Sequence, residues 1–430
     1  MTCLSRLSGG RWRRSADERA AQAWKRARAI GYNRLVSTLR DWLILAMTPG
    51  LGPVRLKRLL DAVGSPEAAT RATAGQLARL DGIGNRTAAD IAGGLRAARS
   101  EVDREIDKAE ALGVGLLCTE DEAYPPLLRQ IVDAPPVLWV WGDLQPRDLN
   151  ALAIVGSRRP SNYGKEQATR FGGLLAGAGF TVISGGAYGV DSCAHRGALR
   201  TTDGRTIAVL GCGADVAYPP EHEELFTQIA CGGGAVVSEH PLGTPPRKEH
   251  FPRRNRIISG MSRGILVVEA DERSGALITA REAADQGRPV FALPGRVDNP
   301  LSAGPHSLLR SGAHLAANLD DVIEHLGPLS NALDEPLATN EDEPAEDGQL
   351  FDRFERPARA PATVAPPPDL ATLSENDRKV LAALDGSVLS TEALIDATAL
   401  PASTVQASLM LMGIKGFVRR GPDGRFERKR

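Results

Sequence analysis

Leu152-Ala153-Ile154-Val155-Gly156-Ser157-Arg158 is the stretch that decides the fold. Four consecutive apolar residues are too few for a helix and suit a strand buried on both faces, and they run into a glycine-led turn. Beyond the turn, Ser161 is placed to cap a helix whose Ala168, Phe171, Leu174 and Leu175 share one face. Strand, turn and helix make one unit, and the unit recurs. Short apolar runs at Thr181–Ile183, Thr206–Leu210, Ala235–Val237, Ile265–Val268 and Val290–Leu293 alternate with helical stretches. This alternation specifies a parallel sheet covered by helices, so an α/β, Rossmann-like, doubly wound domain is expected over 111–328. Domains of this kind take ligands outside the carboxyl ends of their strands.

The turns at those ends carry the polar chemistry. Gly156-Ser157-Arg158 follows the first strand, Ser184-Gly185-Gly186-Ala187-Tyr188-Gly189 the second, and Asp271-Glu272-Arg273-Ser274-Gly275-Ala276 the fifth. After the fourth comes Lys248-Glu249-His250-Phe251-Pro252-Arg253-Arg254-Asn255-Arg256-Ile257-Ile258-Ser259-Gly260. Here Lys248, Arg253, Arg254 and Arg256 crowd one aromatic, and Pro252 is placed to open a helix. Cations at a helix N-terminus oppose the macrodipole unless an anion sits there. An aromatic able to stack on a base makes that anion the backbone of a single-stranded nucleic acid. Arg158 and Lys248, beside turn and helix-terminal amides at Ser157, Gly185, Gly186, Ser274 and Gly275, are the expected phosphate contacts. A solvated or ion-paired arginine face is the alternative.

Composition narrows the field. Lys plus Arg number 52 and Asp plus Glu 53 over 430 residues, so any polyanion site must be a local concentration of charge. Five scattered cysteines (Cys3, Cys118, Cys193, Cys212, Cys231) lack a Cys-x-x-Cys pair, which argues against a disulfide framework or zinc site and for a reducing compartment. No apolar run reaches membrane-spanning length and the start lacks a signal-peptide core, so a cytoplasmic location is expected.

Two similar hairpins stand before the α/β region, Thr48-Pro49-Gly50-Leu51-Gly52-Pro53 and Leu80-Asp81-Gly82-Ile83-Gly84-Asn85. Apolar-periodic runs follow each, through Val54, Leu56, Leu59 and Leu60, and through Ala88, Ile91 and Leu95. Gly-apolar-Gly between short helices marks a helix-hairpin-helix (SAM-like) domain, expected over 39–110; its exposed amides could meet phosphates, or it could bind protein. Residues 1–38 are Arg-rich and polar, expected to be a disordered extension. Residues 329–370, rich in Pro, Ala, Asp and Glu, are expected to be a disordered linker. From 371 to 430 a winged helix is expected: helices over Thr391–Ala397 and Pro401–Met412, then a hairpin about Gly421-Pro422-Asp423-Gly424. Val405, Leu409 and Met412 would face its core, and few cations face outward, which suits auxiliary DNA contact or protein contact better than base reading.

Several chemistries fit poorly. No Gly-x-Gly-x-x-Gly follows the first strand, and no Gly-x-x-x-x-Gly-Lys-Ser/Thr occurs anywhere. Asp191 and His195, four apart, could form an acid–base pair, but a helix cap and a partly buried histidine explain them better. His195, His222, His240 and His250 have no metal-ligand spacing, so neither metal nor cofactor is expected. Thr279-x-x-Glu282 echoes part of a nucleotide phosphoribohydrolase motif whose Pro-Gly-Gly is absent here.

Ala153–Arg158, Ser184–Asp191, His250–Gly260 and Ser274–Ala280 together resemble the DNA-processing protein A (DprA/Smf) family. The resemblance is dense from about Tyr124 to Ala316, and the order hairpin domain, Rossmann-like domain, winged helix resembles that family as well. It implies a non-enzymatic protein that binds single-stranded DNA during natural transformation, protects incoming strands and loads the RecA recombinase onto them. It also implies a homodimer formed through the Rossmann-like domain. Carried over by motif, Arg158 and Lys248 would hold phosphates and Phe251 would stack on a base, while Arg254, Asn255 and Arg256 would shape the same pocket. His306 stands where the family commonly has Asn, and Ala276 replaces a usual Ser. The readings from other classes are a phosphoribohydrolase sharing the fold and a protein-interaction scaffold.

Overall fold

The computed structural model describes residues 32–327 and 329, two short strands near the N-terminus, and two helices, two strands and scattered positions within 375–428. Two units can be told apart, Met1–Glu355 and Arg356–Arg430.

In the first unit, strands Ser5–Leu7 (β1) and Arg11–Arg13 (β2) pair antiparallel, and a helix spans Tyr32–Ala46. The helix begins inside the stretch expected to be disordered. The hairpins follow as anticipated. Gly50 and Gly82 sit at φ +81° and +76°, where a side chain is strained, and release the helices Pro53–Val63 and Asn85–Leu112. Leu51, Leu56, Leu59, Ile83, Ile91 and Leu95 are buried, but Val54 is 48% exposed, on the opposite face of its helix.

A nine-stranded sheet forms the body. Its strands are Val114–Cys118 (β3), Val137–Gly142 (β4), Ala151–Val155 (β5), Thr181–Ser184 (β6), Arg205–Leu210 (β7), Ala235–Ser238 (β8), Gly264–Val267 (β9), Val290–Ala292 (β10) and His314–Leu315 (β11). Their order is β11-β10-β9-β5-β6-β7-β8-β4-β3. The seven from β5 to β11 are parallel, in register with Ala153 opposite Ile183 and Val155 opposite Val267. β4 runs antiparallel to both β8 and β3, an edge that the expectation of a purely parallel sheet lacked. The chain winds outward from β5 to β8 and then returns to place β9 on the other side of β5. The carboxyl ends of β5 and β9 therefore diverge into a crevice, the switch point of a doubly wound sheet.

One face of the sheet is covered by helices Asn162–Gly177 and Val190–Leu199 through Phe171, Leu175 and Ala194; the other takes Ile257, Ile258 and Ala280 from helices His250–Gly260 and Gly275–Asp285. The hairpin domain shares one apolar core with β3, β4 and the Glu223–Cys231 helix. Glu105 on the long hairpin helix is buried and accepts from Trp139 Nε1 (2.8 Å) and the Leu242 N–H (2.7 Å).

In the second unit, helices Glu375–Ala383 and Thr391–Thr398 and the antiparallel pair Val418–Arg420 (β12) and Phe426–Arg428 (β13) enclose Val380, Leu381, Leu394, Val405, Leu409 and Val418. This is the expected winged helix. Val405 and Leu409 are buried as their spacing predicts; most of the helix expected over Pro401–Met412, including Met412, the expected tip of the wing and nearly all of 329–370 lie outside the described residues.

Candidate nucleic-acid cleft

The turn after β5 is fixed from beneath. The Ser157 N–H donates to Glu269 O (2.6 Å) and the Val190 N–H to Ser157 O (3.1 Å). The Glu269 carboxylate, buried at the end of β9, accepts from the Ser161 N–H (2.8 Å), the Ser161 hydroxyl (2.6 Å) and the Asn299 amide (3.2 Å). Ser161 Oγ in turn accepts from the Gly164 N–H at 3.2 Å, the cap its position suggested. Arg158 and Arg159 are left exposed on a rigid base.

The cation-rich segment divides. Its helix begins at His250, two residues before Pro252, so the proline occupies the first turn, where its missing N–H has no helical partner to lose. Lys248 and Arg253 are exposed, whereas Arg254 and Arg256 are buried. Arg254 Nη1 donates to Val209 O at 2.6 Å. Arg256 Nη2 reaches Glu239 (2.6 Å) and its Nε reaches Asp133 (3.0 Å). Asn255 Nδ2 donates to Gly275 O at 3.4 Å. Two residues apart on the helix, Arg254 and Arg256 thus turn to different partners, the first to the carbonyl of β7 and the second to the two acids. The segment is neither a free cationic face nor wholly an ion-paired one.

Between the ends of β5 and β9 lies a cleft of about 700 Å³. Ser157, Arg158, Lys248 and Phe251 line it, and so do Arg254, Asn255, Ser274 and Gly275. Ser274 Oγ accepts from the Ala276 N–H (3.3 Å) and so caps the Gly275–Asp285 helix, leaving Gly275 exposed at the helix mouth. The Arg158 guanidinium stands 5.5 Å from the Phe251 ring centroid, within cation–π range. Burial lowers the Arg254 pKa to about 10, with Asp191 pulling the other way, so the guanidinium is charged at neutral pH.

Three expected site residues do not line the cleft. Arg256 is spent on Asp133 and Glu239. Gly185 and Gly186, expected to offer amides to a phosphate, are buried: Arg254 lies over the first and the Phe226 ring against the second, leaving no room for a Cβ at either.

Asp191 is not a helix cap. It is the second residue of the Val190–Leu199 helix, and its carboxylate accepts from the Ala187 N–H (3.2 Å), with burial raising its pKa. His195 turns away from it: Nδ1 lies 2.7 Å from Thr206 Oγ1, and that hydroxyl donates to Val182 O. The proton therefore sits on Nδ1, and burial holds the His195 pKa at about 3, which keeps the ring neutral. Among the described residues no group of His, Cys, Asp and Glu could hold a metal ion, and no helix is long and apolar enough to cross a membrane.

A family model for DNA recombination-mediator protein A matches residues 115–327, a DprA winged-helix model residues 364–424, and a SAM-like helix-hairpin-helix tandem residues 43–97. The chain is 35% identical over 404 residues to Protein Smf of Synechocystis sp., covering 90% of this chain and 98% of that one. It belongs to the DNA recombination-mediator protein A (DprA/Smf) family. Protein Smf of Escherichia coli is 48% identical over 211 residues, 49% of this chain and 56% of that one. The X-ray structure of DNA processing protein A from Streptococcus pneumoniae superposes with a TM-score of 0.58 at 33% identity, covering 67% of this chain and 98% of that one.

In this DprA/Smf member the sequence reading missed two lining residues, Leu301 and Tyr218. Tyr218, in the loop after β7, lines the cleft with its ring centroid 5.4 Å from that of Phe251. An aromatic ahead of Pro219 and Pro220 at a strand's carboxyl end is the signal that could have found it. His306, expected to depart from the family pattern, has its Nε2 3.1 Å from Gly295 O and does not line the cleft, whereas Ala276 does.

Proposed function

We propose that this DprA/Smf member binds single-stranded DNA in the cleft between the ends of β5 and β9, and that it acts without catalysis as a recombination mediator. The observation that carries the reading is the Arg158 guanidinium poised 5.5 Å from the Phe251 ring inside a cleft whose rim holds Lys248. Cations beside a stacking platform suit an unpaired strand, whose phosphates and base faces are accessible together. A duplex hides its base faces, and a fixed cleft between loops has no element to enter a groove. Arg158, Lys248 and the Ser157 and Ser274 turns hold phosphates; Phe251 stacks on a base; Arg254 fixes the floor.

By resemblance to its family, the protein works in the cytoplasm as a homodimer, shields incoming strands during transformation and hands them to RecA. The phosphoribohydrolase reading finds less support. Thr279 lines the cleft but Glu282 does not, and its carboxyl lies near Asp133 and Asp285. The test is affinity for single- and double-stranded oligonucleotides across a salt series, with incubation against AMP and CMP alongside. Preference for the single strand, a steep salt dependence and intact nucleotides are expected. Equal affinity for duplex, or release of free base, overturns the reading.

A further inference from the structure

The aromatic surface does not end at Phe251. Tyr218 is 41% exposed and tilted 41° to the Phe251 ring, and Tyr188, in the turn after β6, is 45% exposed. Tyr188 is held on both sides: its hydroxyl donates to Glu221, and its ring stands edge-on to the buried His222 at 5.1 Å. Ala187, next to Tyr188 in the chain, lines the cleft together with Tyr218. The three rings come from the ends of β6 and β7 and from the helix after β8, all on the β7 side of the cleft. Exposed aromatics fixed in orientation cost solvation with no gain to the core, and they form a strip continuous with the cleft. Glu221, exposed beside the strip, would repel phosphates, so whatever lies on the strip meets it with uncharged, flat faces.

We propose that Tyr218 is a second base-stacking residue, and that the unpaired strand leaves the cleft across Tyr218 and Tyr188 with its bases on the rings and its backbone toward Arg158 and Lys248. This rests on the single-stranded DNA reading and extends it to the direction in which the strand runs. Stacking is indifferent to sequence because every base presents a π-face.

The test uses fluorescence anisotropy on the full chain with two probes of equal length and charge, oligo-dT and an abasic phosphodiester. Tyr218→Ala is expected to weaken oligo-dT binding about tenfold, the effect of one lost stack. Tyr218→Phe should stay within about twofold of the parent, and Tyr188→Ala should cost about threefold, a part of one stack. The abasic probe should bind the parent and Tyr218→Ala alike. If Tyr218→Ala binds oligo-dT as the parent does, or loses both probes equally, the stacking role is wrong. Arg158→Ala separates the two levels. Should it bind oligo-dT like the parent, the cleft itself is misassigned and this extension falls with it; should it weaken binding while Tyr218→Ala does not, only the extension falls.

Discussion

The guanidinium of Arg254 lies across Gly185 so closely that a Cβ on the glycine would collide with its Cζ and both terminal nitrogens. The arginine reaches beneath the cleft to Val209 O, and the glycine in the turn after β6 is the gap through which it passes. A motif that reads as a phosphate-cradling turn is here the seat for a buried cation. Gly185→Ala is expected to push Arg254 off Val209 and leave a buried donor unmet, at about 1–3 kcal/mol. Urea unfolding measures this; an unchanged midpoint would show that the guanidinium relocates freely.

Arg158→Ala and Lys248→Ala should each weaken binding to all single-stranded sequences alike and reduce the slope of log affinity against log salt by about 1. Phe251→Ala should cost about 1–3 kcal/mol of binding with little change in that slope, because stacking releases no counterion. Gel-shift titrations at several salt concentrations separate the two signatures.

Acid should destabilise the fold through His195. Its pKa is about 3 in the folded protein and about 6.5 in the unfolded chain, so between these values only the unfolded chain takes the proton. Stability is then fully present above 6.5, is lost as pH falls, and has dropped by about 2 kcal/mol from this residue at pH 5. His240, held at about 4 by burial and by the neighbouring His250, adds in the same direction. His195→Asn should shrink the difference in unfolding free energy between pH 7 and pH 5 by about 2 kcal/mol. Denaturant titrations at the two pH values check it, and an unaltered difference would place the titration elsewhere.

Glu105 joins the hairpin domain to the sheet. Glu105→Ala strips the acceptor from Trp139 Nε1 and the Leu242 N–H together, an expected loss of about 2–4 kcal/mol. Glu105→Gln keeps an oxygen and should cost less. Thermal unfolding of both variants decides; equal losses would mean that the side-chain oxygen is not what holds the interface.

The parallel sheet was legible because each of its strands from β5 to β10 is a short apolar run closed by a turn, a pattern carried entirely by local sequence. β11, two residues long, offers no periodicity to read. β4, Val137–Gly142, is apolar and aromatic, but it stands outside the βα alternation and pairs antiparallel at the edge. The convergence of Arg158, Lys248 and Phe251 followed from the rule that loops at one sheet edge meet. The inward turn of Arg254 and Arg256 did not, because a run of arginines reads alike at every position. What sorts them is Val209 O, Glu239 and Asp133, distant in sequence. Asp191 misled because the helix begins at Val190, one residue before it, and its carboxylate accepts from the Ala187 N–H ahead of the helix, not from an N–H of the first turn.

The central claim is that an unpaired strand lies against Phe251. Photo-cross-linking of an oligo-dT carrying 5-iodouracil, followed by mass spectrometry of the peptides, asks this most directly. The adduct is predicted in the Lys248–Arg253 segment and should disappear in Phe251→Ala. Adducts confined to the hairpin helices or to residues 371–430, with none around Phe251, would contradict it.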